Sequence, residues 1–82
     1  MADLITAMRK HIEGAGYSIS IENRPLGEVL FMKKGRITAE SCRRAYSEEE
    51  ILYHWLKDLE RMEKGFKLTP EEEALNEKYG GR

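Results

Sequence analysis

Three side chains in this sequence have the chemistry of soft ligands, bases or nucleophiles: His11, Cys42 and His54. Arg43 and Arg44 flank Cys42, and adjacent cations favour a reactive thiolate. Yet a nucleophile also needs a base and an orienting group, and no spacing in the chain supplies them. His11 falls at the edge of an apolar helical stripe and has no partner at helical spacing, so it reads as a boundary side chain with one wet nitrogen. His54 lies four residues after Glu50 and four before Asp58, an ordinary arrangement for a salt-linked histidine on a helix surface. Three metal-ligand candidates spread over 44 residues, with no close pair, carry little specificity for a metal. The sequence contains no G-x-S-x-G, phosphate-cradling glycine loop, H-E-x-x-H or C-x-x-C. The expectation is a non-enzymatic protein with no catalytic residue, no cofactor and no metal.

Two acidic runs, Glu48–Glu50 and Glu71–Glu73, suggest cation binding at first sight. Each instead occupies the first turn of a helix, where carboxylates complement the positive end of the helix dipole. Calcium calls for alternating oxygen ligands in a loop.

The basic residues group by topology. The formal net charge is −1, but residues 1–46 carry +3 and residues 47–82 carry −4. The up-and-down order of elements assigns Arg9, Lys10, Lys33, Lys34, Arg36 and Lys64 to one end as a phosphate-binding pole. Arg24, Arg43 and Arg44 are assigned to the other end, close to Glu48–Glu50, where they are neutralised. A nucleic-acid domain is usually basic as a whole, so the pole implies at most weak, salt-sensitive contact with phosphate backbone and no sequence preference.

The elements that must position these groups are well marked. The chain is organised around Ser47 to Lys64. Ser47 and Glu50 form a capping box, Tyr46 and Ile51 a hydrophobic staple. Ile51, Leu52, Trp55, Leu56, Leu59 and Met62 share one helical stripe, and Lys64-Gly65 stops the helix. Asp3 caps a first helix running to about Glu13, with Leu4, Ile5, Met8, Ile12 and Ala15 on one face. Tyr17–Glu22 alternates with period 2 and reads as a half-buried strand. Asn23–Gly27 is a turn set by Pro25 and Gly27. Glu28–Lys33 is a second strand, apolar on both parities, which points to a central position or a sheet covered on both sides. Lys34-Gly35 closes a hairpin. Arg36–Arg44 is read as a third strand in preference to a short helix capped by Thr38, with Met32 opposite Ile37 and Leu30 opposite Ala39. Thr69-Pro70-Glu71-Glu72 starts a last, mostly polar helix with Leu75 and Tyr79 at i, i+4, ended by Gly80-Gly81.

The expected fold is therefore α+β in the order α-β-β-β-α-α, with a three-stranded antiparallel sheet and both long helices on one face. Residues 1–65 form the core, and residues 66–82 add a short, weakly attached C-terminal helix. The order resembles the layout of double-stranded-RNA-binding modules, but no motif of that family can be quoted from these residues, and the chain is not assigned to it. No apolar run approaches the ~20 residues of a membrane span. The first residues lack a signal peptide's basic start and apolar stretch, and a single cysteine offers no internal disulfide. A cytoplasmic protein is expected.

If both long helices cover one face of the sheet, an apolar pair from the second strand is left on the other. Val29, Leu30, Phe31 and Met32 are accordingly the candidate protein interface, whether for a partner or for a homodimer. The competing expectation is that Phe66–Tyr79 folds over that face. The sequence supports a small protein-interaction module, with phosphate-backbone binding through the basic pole as the alternative.

Overall fold

The computed structural model describes residues 3–80; Met1, Ala2, Gly81 and Arg82 lie outside it, including the Gly81 of the expected helix end. The elements are α1 (Leu4–Gly14), β1 (Ser18–Arg24), β2 (Gly27–Lys34), β3 (Ile37–Cys42), α2 (Glu48–Met62), α3 (Pro70–Ala74) and a final π-helical turn (Asn76–Gly80). This is the expected α+β fold with the antiparallel sheet order β1-β2-β3.

Local sequence sets the helix starts. Asp3 accepts the Thr6 N–H at the head of α1, and Ser47 accepts the Glu50 N–H at the head of α2. Thr69 and Glu72 complete a reciprocal capping box at α3, with Pro70 in the first turn.

Both hairpins turn on two residues. Arg24 pairs with Gly27 across Pro25-Leu26, so β1 runs two residues further than the period-2 pattern indicates. Lys34 pairs with Ile37 across Gly35-Arg36. Gly35 has φ +60° and no non-glycine residue among the described residues has positive φ, the requirement of a turn with glycine at its first central position. The tip therefore lies one residue later than Lys34-Gly35. Met32 stands opposite Ala39 and Leu30 opposite Ser41, instead of Ile37 and Ala39. The register moves by two residues, which leaves each side chain on its expected face.

Alternation on β2 sorts the sheet into two faces. Leu30 and Met32 point to the helices and join Met8, Ile12, Tyr17, Ile51, Leu52, Trp55, Leu56 and Leu59 in one core. Val29 and Phe31 point the other way. The stripe on α2 is wider than its apolar periodicity suggests, and its end differs. Tyr53 is buried and Met62 is 52% exposed. Tyr53 is covered because the C-terminal segment packs against α2, its hydroxyl donating to Asn76 Oδ1 at 2.9 Å. Met62 is the last helical residue.

Phe66–Tyr79 does not fold over the open sheet face. Phe66 stacks on His11 of α1 with ring centroids 4.4 Å apart. Leu68 is buried in the core, and Leu75 and Tyr79 pack against it. The segment forms a third layer outside the two long helices. No helix among the described residues is long and apolar enough to cross a membrane.

Truncating Trp55, 3% exposed in the core, to alanine should destabilise the fold by about 3–5 kcal/mol. Met62→Ala should change it by less than about 0.5 kcal/mol, the usual range at exposed positions. Urea unfolding of both variants checks the helical phase; equal losses would contradict it.

Candidate functional site: the open sheet face

The open face is built by alternate residues of three strands. Paired partners share a face in an antiparallel sheet, which gives cross-strand rows of Ser18, Lys33 and Thr38, then Ser20, Phe31 and Glu40, then Glu22, Val29 and Cys42. Arg24 stretches its guanidinium over the Phe31 ring at 4.9 Å from the centroid. The same group lies 3.4 Å from both Glu22 and Glu40. Beside it, the first hairpin leaves Leu26 75% exposed. Arg24, Pro25, Leu26, Val29 and Cys42 line a shallow, mainly apolar groove of about 500 Å³. No described residue of the C-terminal segment lines it.

Gly27 shapes one wall. Its φ of +131° is reserved for glycine, and a Cβ there would stand 2.9 Å from the Arg44 side chain. Arg44 crosses at that point to donate to the Leu26 carbonyl at 3.2 Å. Arg43 pairs with Glu28 at 2.8 Å. Arg24, Arg43 and Arg44 are thus engaged by the strands and their turn, while Glu48, Glu49 and Glu50 take other partners: Arg9, Lys78 and His54. The expected neutralisation at the start of α2 does not occur, because each arginine finds a closer strand or turn oxygen.

Of the four candidate interface residues, Val29 and Phe31 belong to the open face, but Val29 is buried there at 8% exposure and Phe31 is half-buried. Leu30 and Met32 are 0% and 2% exposed in the core. Of the six candidate phosphate ligands, Arg9 is held against Glu48 at the beginning of α2, at the opposite end from the expected pole. Lys34 pairs with Glu63 at 3.3 Å and lies over the Tyr17 ring. Lys10, Lys33, Arg36 and Lys64 are exposed and form no salt bridge among the described residues. Lys33 and Arg36 flank the second hairpin turn, Lys64 follows the end of α2, and Lys10 lies on α1.

The chemistry-bearing side chains are dispersed. Cys42 is a half-buried free thiol at the end of β3. His54 is exposed, 3.6 Å from Glu50. His11 has a partner that no local pattern reveals: its Nδ1 lies 2.8 Å from Oε1 of Glu72, 61 residues away. Glu72 is 1% exposed and also accepts the Thr69 N–H at 3.0 Å. Its presence in a capping box was the one available signal that this carboxylate is fixed. Among the described residues there is no group of three His, Cys, Asp or Glu able to hold a metal ion.

Two further carboxylates hold the layers together. Glu49 accepts from the Tyr79 hydroxyl at 2.6 Å and pairs with Lys78 at 3.2 Å; these bonds hold its carboxyl below the ordinary glutamate range. Glu63 accepts from the Tyr17 hydroxyl at 2.9 Å and from Lys34, which depresses its carboxyl likewise. Burial and the Glu63 carboxylate push the Tyr17 phenol up.

His11→Ala should destabilise the protein by about 2–3 kcal/mol, because a buried carboxylate loses a partner. Adding Glu72→Gln should recover part of that loss in chemical denaturation. The depressed carboxyls of Glu49 and Glu63 contribute stability that is present above their unfolded value and lost as pH falls through the folded one. The melting temperature should hold from neutrality to about pH 5 and fall below about pH 4.3, the unperturbed glutamate value. Glu49→Gln should make that acid decline shallower.

No family model matches this chain, and no curated protein and no solved structure matches it. The open face, with its groove, remains the feature on which a functional reading rests.

Proposed function

We propose that this chain is a non-enzymatic, cytoplasmic protein-interaction module that docks a protein partner on the open sheet face. The observation that supports this reading is the mainly apolar groove beside the first hairpin, where Leu26 is exposed and Phe31 lies half-buried under Arg24, on the side of the sheet away from the helix core. In an 82-residue domain, apolar area is scarce, and a patch rimmed by polar groups is the usual mark of a contact surface. Arg24, stacked on Phe31 and within reach of Glu22 and Glu40, supplies the kind of aromatic and arginine pair that anchors interfaces. The fitting partner presents an apolar side chain to the groove and a polar rim to Arg24 and Glu40.

The phosphate-backbone reading is weakened by the ion pairs at Arg9 and Lys34. Duplex DNA and RNA should show no retention at about 200 mM salt.

A photo-reactive residue placed at position 31 in the native host should give a discrete adduct with one protein. The same residue at Glu60, exposed on the helix layer, should not. Equal labelling at both positions, or no adduct at position 31, would refute the docking face.

A further inference from the structure

Among the described residues β1 is an edge strand, hydrogen-bonded only to β2, so the backbone donors and acceptors on its outer side lack strand partners there. Natural edges are commonly blunted by lysine, proline or a bulge. Ser18–Arg24 contains no Lys, Pro or Gly, its two charged residues, Glu22 and Arg24, pair with each other at 3.4 Å, and it pairs with β2 without interruption through seven consecutive partners. Six of its seven residues are exposed, and Ile21, on the face that the helices cover elsewhere, is 44% exposed. The other edge, β3, is shorter and only three of its six residues are exposed.

We propose that two copies of this chain join through β1, in an antiparallel pairing centred on Ser20, to make one six-stranded sheet. The register follows from side-chain chemistry. Pairing must match residues of the same parity, or the helix-side residues of one copy continue the open side of the other. Centring on Glu22 sets two carboxylates face to face, which is unfavourable. Centring on Ile21 sets Ile19 against Asn23. Centring on Ser20 sets Ile19 against the second copy's Ile21, and Ser18 against its Glu22, with no like charges opposed.

That register continues both faces. On the helix side, Met32 and Ile19 of one copy meet Ile21 and Leu30 of the other in one apolar row, given the observed pairings of Ile19 with Met32 and Ile21 with Leu30. On the open side, Ser20 pairs with Phe31, so the row runs Phe31, Ser20, Ser20, Phe31 across the two-fold axis. Glu22 falls in the same row as the second copy's Lys33, two strands or ~10 Å away, where the two long side chains of opposite charge can approach. The pairing joins the backbone edges of β1, extends the rows of the open face that contain Ser18, Ser20 and Glu22, and does not depend on a partner docked on that face.

Sedimentation equilibrium of the full chain from about 1 μM to about 1 mM should show the mass rise from 9.5 kDa towards twice that value. Ile21→Lys should weaken association at least about tenfold. In a Cys42→Ser background, Ser20→Cys should form an intermolecular disulfide under mild oxidation. Glu22→Cys should not, because its two copies stand ~13 Å apart along the strands, beyond the ~7 Å Cα limit of a disulfide. A protein that stays monomeric throughout would overturn the proposal. So would a dimer in which Ser20→Cys links no faster than Glu22→Cys, or one lost on Phe31→Glu but kept on Ile21→Lys, which would assign association to the open face.

Discussion

The seating of Leu30 and Met32 against α2 is the contact on which the rest of the molecule depends. β2 is the middle strand, so these two side chains lie under the centre of the helix layer. Both are nearly inaccessible, as are Leu52, Trp55, Leu56 and Leu59 above them. In a chain this short only about 60–65% of the unfolded surface can be buried on folding, so one sheet–helix interface must supply most of the hydrophobic stabilisation. Once Leu30 and Met32 are committed to it, the pleat forces Val29 and Phe31 to the opposite side. The open face is thus a consequence of the core, and its apolar residues had no second layer to enter.

The C-terminal segment could have supplied that second layer. It is drawn instead to the helix side, where Leu68 enters the core and Phe66, Leu75 and Tyr79 pack against it, and where polar partners meet: His11 for Glu72, Glu49 for Tyr79 and Lys78, and Tyr53 for Asn76. A buried carboxylate is expensive unless it is bonded, and Glu72 finds two donors at one point, the Thr69 amide and the His11 ring. The sheet's outer face carries Glu22 and Glu40 with Arg24 already between them. Polar complementarity adds to the few apolar anchors, Leu68 above all, in deciding where the segment comes to rest.

The same competition disperses the basic residues. Arg9 reaches a carboxylate in the first turn of α2 and Lys34 reaches Glu63, the residue that follows the helix, and Arg43 and Arg44 are held by Glu28 and the Leu26 carbonyl. A count of cations by end of the fold treats each as free, whereas a long side chain samples every acceptor within several ångströms. The phosphate-binding pole loses two of its six members for this reason.

By itself the sequence determined what depends on neighbours a few residues apart. Caps at Asp3, Ser47 and Thr69, the period of α2, the alternation of β1 and β2 and the glycines at both hairpins are local signals, and the element order follows from them. The two-sided character of β2 was legible too, since parity alone separates Val29 and Phe31 from Leu30 and Met32. Only the tertiary structure decided which pair was buried, because that depends on the side the helices pack. It also decided the burial of Tyr53, the exposure of Met62, the stacking of Arg24 on Phe31, and the pairing of His11 with Glu72 across 61 positions. Each of these joins residues whose separation along the chain carries no periodic signature, so their meeting is fixed by packing geometry and by the search of polar groups for partners.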